Sequence, residues 1–307
     1  MAGFRTYHPG MGQNAGFAED RIIIAGVGLI GGSIAAAVRK RSPNTEVIGI
    51  GRSPDRLRQA TEIGLLTGWA TQLDSRLLSG RTLAVVCLPV DMIASTVREM
   101  AELASSDVLL TDAGSVKASV CDEILQDSRA ADLFIGSHPI AGGENGGFEF
   151  SDSDLFRDRV CVVTADPARD GGMRLNRLRD FWKFLGARVE FMSAEDHDHV
   201  LALTSHLPHL MAAVTTNCVG PQNLPLTGSG FRDTTRVAAG SPSLWRTIFA
   251  GNRSSVVEAV AAAQRQLNEF QLALESRDDD RVEDLLRQAS ECRKSLDHDA
   301  SRTRNRS

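Results

Sequence analysis

A glycine-rich segment near the start of the chain has the residue types and spacing of a phosphate-binding turn. Residues 26–31 (GVGLIG) follow an apolar run and lead into a stretch with helical spacing. In such a turn one glycine permits the tight bend, the next lets the backbone approach a pyrophosphate, and the last packs helix against strand. The free N–H groups at the helix start favour an anion. The segment therefore predicts dinucleotide binding by the following residues: Gly26, Gly28, Leu29, Ile30 and Gly31.

The end of the second apolar run indicates which dinucleotide is bound. Enzymes that use NAD usually carry an acidic residue there, which bonds the ribose 2′-hydroxyl. Here Gly51 stands in place of that acid, and Arg52 and Ser53 follow it. Because Arg and Ser can hold a 2′-phosphate and no carboxylate repels it, the pattern favours NADP as the cofactor. In the alternative, Arg52 stacks on the adenine and Asp55 bonds the ribose of NAD.

Three further segments contain residues suited to acid–base and anion-binding chemistry. Residues 111–117 read TDAGSVK, residues 137–144 read SHPIAGGE, and residues 197–209 contain four histidines. Histidine has an ordinary pKa that suits proton transfer near neutral pH. The spacing of His206 and His209 places them on one helix face, but the acidic residue of the zinc motif His-Glu-x-x-His is missing. No metal is therefore expected.

Together, and in this order, these motifs resemble the prephenate/arogenate dehydrogenase family. The resemblance spans residues 21–296 and rests on five segments. They are the glycine loop, Asp112–Lys117, His138–Gly142 with Glu144, Ser205–His209, and Gly230–Arg236. It implies an oxidative decarboxylation in tyrosine biosynthesis. A hydride leaves C4 of a cyclohexadienol for NADP or NAD, the C4 hydroxyl loses its proton, and the ring carboxylate departs as CO2.

The resemblance also implies roles for single residues. His138 would accept the hydroxyl proton, and Ser115 would hydrogen-bond this histidine, although a serine there also suits the start of the next helix. Arg236 would bind the ring carboxylate through its planar guanidinium. His209 would lie in the substrate pocket. The other residues expected in that pocket are His206, Arg232, Glu144 and His197. Asp112 and Lys117 are expected to be structural.

Several alternatives remain open. The motifs mostly concern the ring end of the substrate, so prephenate, arogenate and the analogue 4-amino-4-deoxyprephenate are not separated. The β-hydroxyacid dehydrogenases and imine reductases join a similar cofactor domain to a helical one, but they usually use a lysine base there. This chain has no lysine between Lys183 and Lys294. A non-catalytic NADP sensor would have no reason to keep His138, Ser115 and Arg236 together.

The composition is that of an ordinary globular protein with room for two domains. The chain has 307 residues, 42% of them apolar, and 34 basic against 39 acidic residues give a net charge of −5. This balance offers no general attraction for nucleic acid, and no apolar run approaches the ~20 residues that span a membrane. Five scattered cysteines without a Cys-x-x-Cys pair suggest a reducing, cytoplasmic location.

The pattern of short apolar runs and helical stretches predicts the elements that position these residues. It indicates strands at 21–25, 46–50, 82–88, 108–112, 134–138, 160–164 and 188–191. Helices are predicted at 32–40, 54–63, 93–101, 117–125 and 171–185, and only helices after residue 193. The fold class is therefore an α/β Rossmann-type N-terminal domain with a mostly parallel sheet, followed by an all-α C-terminal dimerisation domain. The predicted parts are a flexible leader (1–20), the dinucleotide-binding domain (21–193), the helical substrate and dimerisation domain (194–297) and a tail (298–307).

Two amphipathic stripes in the helical region suggest a homodimer. Apolar residues recur every three or four positions in 256–274 and again in 282–289. These stripes exceed what an appendage of this size needs for its own core, and the family resemblance also implies dimerisation there. Burial of the stripes within one chain is the alternative.

Overall fold

The computed structural model describes residues 19–143, 145–165 and 172–304, with the backbone alone for 297–304. Its first sheet is built from apolar, β-branched runs bounded by glycine, proline and polar residues. The strands of this sheet are β1 (Arg21–Ala25), β2 (Glu46–Ile50), β3 (Gly68–Ala70), β4 (Thr82–Val86) and β5 (Leu109–Asp112). The sequence analysis predicts all of these except β3, which is too short to show a pattern.

Neighbouring strands of this sheet are all parallel, in the order β3-β2-β1-β4-β5. The central strand β1 is buried on both faces, with Ile22 and Ile24 in one apolar cluster and Ile23 and Ala25 in another. The chain passes from β1 to β2 on one side and later to β4 on the other. Open α/β sheets bind ligands at such a switch point, outside the carboxyl ends of the strands. The sheet confirms the predicted Rossmann-type fold.

Helices connect these strands and cover the sheet. They are α1 (Leu29–Arg41), α2 (Pro54–Glu62), α3 (Val90–Leu103), α4 (Ala118–Leu125), α5 (Ser128–Leu133) and α6 (Met173–Phe184). The glycine loop lies between β1 and α1, as predicted. The sequence pattern does not indicate α5, because a helix of six residues is too short for a 3.6-residue period to show.

Three strands form a second, smaller sheet that the sequence does not separate from the first. They are β6 (Ser137–Pro139), β7 (Val160–Thr164) and β8 (Arg188–Met192). β7 and β8 are parallel, but β6 is antiparallel to β7. The strand predicted at 134–138 is wrong in its first part, because Phe134 forms only an isolated bridge with Leu110 of the first sheet. The chain then crosses to the second sheet, where His138 lies in β6.

Only helices follow β8 among the described residues. They are α7 (Ala194–Leu201), α8 (Leu207–Val219), α9 (Ser229–Thr235), α10 (Pro242–Gly251), α11 (Arg253–Ser276) and α12 (Asp279–Arg304). A π-helical segment, Ala202–His206, joins α7 to α8 without a break. Such wide turns often occur at functional sites. α12 continues into residues 298–304, which the sequence analysis assigns to a tail.

The contacts divide the chain into two compact units, residues 1–253 and 254–307. All the predicted site residues that the structure describes belong to the first unit. In the second unit Leu267, Leu274 and Leu286 are each more than half exposed. The boundary predicted at residue 193 stays a prediction, and most of the predicted leader lies outside the described residues. No helix of the described part is long and apolar enough to cross a membrane.

Candidate active site

The glycine loop has the geometry that a dinucleotide requires. Gly26 has a φ of +96°, and a Cβ there would lie 2.5 Å from the carbonyl oxygen of Cys87. A Cβ on Gly31 would collide with the carbonyl oxygen of Gly26, so this glycine lets α1 pack against the turn. A Cβ on Gly28, in contrast, would meet nothing within 4 Å. The space beside Gly28 is therefore open to a ligand, while the other two glycines are needed for the turn itself.

The start of α1 faces the same space without a side chain to cap it. Gly28 is the residue before the helix, and it makes no side-chain cap hydrogen bond. The N–H groups of the first turn, which includes Leu29 and Ile30, thus keep their capacity to bind an anion. The loop, the helix start and the open position at Gly28 fit the pyrophosphate of a nicotinamide dinucleotide.

A cleft of about 1040 Å³ continues from the loop toward the end of β2. Its lining includes Gly51, Arg52, Ser53 and Arg56 on one side, and Glu99 of α3. No hydrogen bond or ion pair holds the Arg52 side chain among the described residues, whereas Arg56 pairs with Glu149. The hydroxyl of Ser53 caps α2 by accepting from the backbone N–H of Arg56 at 3.4 Å. The adenosine end of the cleft is thus lined by guanidinium groups.

Asp55, the residue considered as an alternative ribose ligand, is engaged elsewhere. Its carboxylate accepts a hydrogen bond from Arg58 at 2.7 Å, and it is largely exposed. It is not among the residues that line the cleft. The geometry therefore offers no support for a role of Asp55 in NAD binding.

The catalytic candidate, His138, belongs to a series of three hydrogen-bonded, buried side chains. His138 Nδ1 is 2.8 Å from His197 Nε2, and His197 Nδ1 is 2.7 Å from Asp198 Oδ1. His197 is fully buried, and His138 and Asp198 are 8% and 2% exposed. The sequence analysis predicts both histidines as site residues, but it misses Asp198.

Hydrogen-bond chemistry fixes the protons along this chain. The carboxylate of Asp198 only accepts, so His197 donates to it from Nδ1, and with a single ring proton it keeps a lone pair at Nε2. His138 must then donate from Nδ1 to that lone pair, which leaves its own Nε2 unprotonated. A neutral His138 in this tautomer can accept a proton at Nε2, and the Asp198 carboxylate stabilises the cation that forms.

Asp198 is itself held by the backbone of another helix. Its two carboxylate oxygens accept hydrogen bonds from the N–H groups of Lys117 and Ala118, at 2.8 and 2.9 Å. These N–H groups open α4, so Asp198 replaces the local side-chain cap that Ser115 was considered to provide. The helix start and its positive dipole end favour the charged carboxylate. The contact also fastens α7 to the loop that contains Ser115.

A buried ion pair connects the loop that contains Ser115 to strand β6. Lys117 Nζ bonds the carboxylate of Asp112 and also donates to the carbonyl oxygen of Ser137 at 3.2 Å. Asp112 accepts from the N–H groups of Gly114 and Ser137 as well. Both charged groups are fully buried. This arrangement agrees with the expected structural role of Asp112 and Lys117, because it joins the end of β5 to the strand that contains His138.

The environment lowers the pKa of three site histidines, His138, His206 and His209. Burial is the largest cause that lowers the pKa of His138 well below its ordinary 6.5, and the nearby charge of Lys117 acts in the same direction. Burial also lowers the pKa of His206 to about 4, and it lowers the pKa of His209. A base that stays unprotonated through neutral pH is the form that proton abstraction needs.

An aromatic cluster surrounds the two histidines of the SHLPH segment. His209 stacks on Trp245, with ring centroids 3.6 Å apart, and Phe249 packs against both of them. His206 meets the edges of Trp245 and Phe249. His206 Nε2 and His209 Nδ1 are buried and have no hydrogen-bond partner in the described protein. Since buried polar atoms normally have partners, these two nitrogens are suited to hydrogen-bond a bound ligand or water.

The remaining predicted site residues make fewer described contacts with the histidines of the site. The turn that begins at Arg236 reaches this cluster, because a Cβ on Gly240 would lie 2.9 Å from Trp245 Nε1 and 3.3 Å from His209 Cε1. Arg236 and Arg232 both have exposed side chains. Ser115 is half-buried in the loop before α4, and the described residues show no hydrogen bond between Ser115 and His138, whose Nδ1 pairs with His197. Glu144 lies outside the described residues.

Comparisons with known protein families identify this arrangement. The model of the prephenate dehydrogenase nucleotide-binding domain matches residues 34–191, and the model of the prephenate dehydrogenase dimerization domain matches residues 193–288. The chain belongs to the prephenate dehydrogenase family. It is thus an oxidoreductase with a nucleotide-binding domain, as the sequence motifs predict.

Full-length relatives support the same assignment. The chain is 33% identical over 287 residues to a cyclohexadienyl dehydrogenase from Zymomonas mobilis, covering 91% of this chain and 97% of the relative. It is 31% identical over 276 residues to a prephenate dehydrogenase from Bacillus subtilis, covering 88% and 73%.

Solved structures of the family have the same fold. The prephenate dehydrogenase from Aquifex aeolicus, in complex with hydroxyphenyl propionate and NAD+, has a TM-score of 0.84 and 27% identity, covering 91% of this chain and 99% of that one. An arogenate dehydrogenase from Synechocystis has a TM-score of 0.76 and 27% identity, covering 90% and 99%. These relatives include enzymes named for either substrate.

Proposed function

We propose that this prephenate dehydrogenase family member oxidatively decarboxylates prephenate or arogenate, prefers NADP, and uses His138 as its base. The observation that carries the proposal is the buried hydrogen-bonded series His138–His197–Asp198, which engages His138 through Nδ1 and leaves its Nε2 for the substrate proton. Such a chain suits the removal of one hydroxyl proton at neutral pH. A nicotinamide cofactor bound along the glycine loop would supply the acceptor for the hydride from C4 of the substrate.

The protons and electrons then balance without another reactant. As the C4–H electron pair leaves as hydride, the hydroxyl proton moves to Nε2 of His138, and C4 becomes a carbonyl carbon. The bond between the ring and its carboxylate breaks next, and its electron pair makes the ring aromatic while CO2 leaves. His138 returns the proton to the phenolate oxygen. The same residue thus acts as base and then as acid, and Asp198 stabilises its protonated form through His197.

Both candidate substrates carry two carboxylates, and groups around the aromatic cluster are suited to bind them. Arg236 lies at the start of the turn that packs against His209 and Trp245, so its guanidinium can pair with the ring carboxylate. His209, held flat against Trp245, contributes a buried nitrogen. Ser115 would contact the reacting hydroxyl from the loop before α4. Roles for Arg232 and Glu144 stay predictions from the family resemblance.

The preference for NADP rests on the adenosine end of the cleft. Arg52 and Ser53 follow β2, no acid stands at residue 51, and Arg56 adds a second guanidinium. A 2′-phosphate carries negative charge that these cations attract. Asp55 pairs with Arg58 and does not line the cleft. The main opposing feature is Glu99, whose carboxylate belongs to the same lining.

We also propose that the protein is a homodimer. The matched dimerization domain includes α11, and exposed leucines such as Leu267 and Leu274 lie on this helix. Apolar surface of this kind is usual where a second copy packs. Light scattering should therefore give about twice the chain mass of 33.1 kDa. A cytoplasmic location stays a prediction from the cysteine pattern.

The decisive experiment is a matrix of substrates and cofactors with the purified protein. Prephenate and arogenate are each offered with NADP and with NAD, while reduced nicotinamide and CO2 are both measured. We expect equal amounts of the two products and a higher kcat/KM with NADP. Turnover with NAD alone would overturn the cofactor preference. No turnover of either substrate by a protein that still binds the cofactor would overturn the proposed reaction.

A further inference from the structure

Asn252, which no motif of the sequence analysis includes, is buried at the centre of the site. It is 4% exposed and ends α10, directly after the turn of helix that contains Trp245 and Phe249. Its side-chain Nδ2 donates to the backbone carbonyl of Asp198 at 2.7 Å. The same Nδ2 lies 3.2 Å from Nδ1 of His206. One amide group therefore contacts both the catalytic chain and a histidine of the aromatic cluster.

The chemistry of these contacts determines the amide orientation. A backbone carbonyl oxygen only accepts hydrogen bonds, so the Asn252 atom that faces Asp198 must be the NH2 group. That nitrogen has two hydrogens and no lone pair available for accepting. One hydrogen bonds the Asp198 carbonyl, and the other is left for His206.

The same logic determines the tautomer of His206. Because the Asn252 NH2 can only donate, Nδ1 of His206 must accept, and the single proton of the neutral ring must reside on Nε2. Burial keeps this ring neutral by lowering the pKa of His206 to about 4. His206 therefore presents an N–H group at Nε2 across the neutral range.

This N–H group has no partner in the described protein, although the whole side chain is only 1% exposed. A buried donor without an acceptor is destabilising, typically by about 1–3 kcal/mol, and such donors are rare unless a ligand or water satisfies them. His209 Nδ1, on the same helical segment, is a second buried nitrogen without a partner. The two lie around one aromatic cluster. A ligand with oxygen acceptors would satisfy the donor that Asn252 creates.

We propose that Asn252 is a positioning residue that fixes His206 as a neutral Nε2–H donor to an oxygen of the bound substrate. The proposal rests on the proposed function, because the oxygen belongs to the carboxylated substrate of that reaction. His206 thereby differs from Arg236, since it contributes a directed hydrogen bond without charge. The second hydrogen of Asn252 holds the backbone of Asp198, so one amide aligns the substrate donor with the catalytic chain.

The first test reads the tautomer directly and does not depend on turnover. The chain has seven histidines, so selective 15N labelling gives a small set of ring nitrogens, and His206→Gln identifies the signals of His206. We expect a protonated Nε2 and an unprotonated Nδ1 in the wild type. In Asn252→Asp the new carboxylate accepts from Nδ1–H, so the proton should move to Nδ1. A wild-type His206 that is protonated at Nδ1 would overturn the proposal.

Kinetics then separate positioning from general damage. The Gln side chain keeps an N–H donor near the position of Nε2, whereas Leu has none. His206→Gln should keep KM for the substrate within about threefold of the wild type, and His206→Leu should raise it about tenfold or more. Equal losses in the two variants would refute the donor role. KM for the cofactor should stay unchanged in both.

Asn252→Ser and a matched control complete the test. Asn223 is an exposed asparagine whose Nδ2 likewise donates to a backbone carbonyl, that of Val219 at 2.8 Å. Asn223→Ser should leave KM unchanged, and Asn252→Ser should raise KM for the substrate more than it lowers kcat. If Asn252→Ser does not fold, the wild-type tautomer and the two His206 variants still decide the question. A wild type that turns over neither substrate would contradict the proposed function, while the tautomer would still be measurable.

Discussion

The catalytic end of the site, around His138, and the adenosine end, in the cleft that continues from the glycine loop, are built in opposite ways. At the catalytic end, His138, His197 and Asp198 are buried. Hydrogen bonds join His138 to His197 and His197 to Asp198, and they orient the three side chains. At the adenosine end, the side chains of Arg52 and Arg56 are exposed, and the hydroxyl of Ser53 only caps its own helix. One end is preorganised before a ligand binds, and the other presents solvent-exposed charges.

The difference follows from what each end has to do. Proton transfer requires a defined tautomer and a neutral base. Both depend on burial and on hydrogen bonds that are shielded from water. Discrimination between NADP and NAD requires only that the 2′-phosphate bind more tightly than the 2′-hydroxyl. Exposed cations provide this modest difference in binding free energy. Changes at the catalytic end should therefore alter kcat and its pH dependence. Changes at the adenosine end should alter KM for one cofactor.

The largest effect is expected from removing the base. His138→Ala should lower kcat by about 10²–10⁴, the usual contribution of a general base, while affinity for the cofactor stays the same. Steady-state kinetics and fluorescence titration with NADPH measure the two quantities. His199→Ala is the matched control, because His199 is an exposed histidine on the same helix as His197. A loss below tenfold in His138→Ala would remove this residue from the mechanism.

The buried ion pair beneath the site should affect stability most. Lys117→Met leaves the Asp112 carboxylate buried without its partner, which typically destabilises a fold by about 3–5 kcal/mol. Denaturant unfolding of the variant and the wild type measures the difference. Changing both residues, as Lys117→Met with Asp112→Asn, should recover part of the loss. If the single variant were as stable as the wild type, the pair would not hold the catalytic loop.

A smaller loss is expected from neutralising Asp198. Asp198→Asn removes the charge that stabilises protonated His138 through His197, so kcat should fall by about 10²-fold. The protonated form becomes less stable, and the acid limb of the pH–rate profile should move to lower pH. Asp196→Asn, an exposed change two residues earlier in α7, should leave both unchanged. An unshifted acid limb in Asp198→Asn would show that Asp198 only caps α4.

The smallest effect is expected at the adenosine end. Arg52→Ala should raise KM for NADP about tenfold and leave KM for NAD and both kcat values close to those of the wild type. Arg58→Ala is the control, because Arg58 pairs with Asp55 outside the cleft. Equal changes for the two cofactors would mean that Arg52 does not contact a 2′-phosphate.

The sequence predicts the catalytic end less completely than the fold. Apolar runs and the glycine spacing indicate the central strands and the phosphate loop, because those signals are local. Strands are predicted at or near all three strands of the second sheet, but their separation from the first sheet is missed, since the antiparallel pairing of Ser137–Pro139 depends on a partner 20 or more residues away. Short, edge elements are therefore the part of the fold that local patterns do not determine.

The residues missed in the site share one property, which is that their partners are distant in sequence. Asp198 caps a helix that begins 80 residues earlier, and Asn252 bonds a carbonyl 54 residues before it. The motifs name His138 and His197 as site residues, but the bond between them is visible only in three dimensions. The spacing of the sequence motifs can thus identify a candidate base. The tautomer of that base depends on tertiary contacts, which the sequence pattern does not show.

The pH dependence of kcat/KM tests the central claim most directly, because it reports the protonation of the free enzyme. A His138 whose pKa lies well below 6.5 is active as the neutral base, so lowering the pH should not reduce the rate until the medium is well below that value. Pre-equilibrated enzyme is assayed by pH jump through the acid range, with enzyme-free blanks. The account predicts an acid limb well below pH 6.5 that disappears in His138→Ala. A limb at or above 6.5, or one that His138→Ala retains, would contradict it.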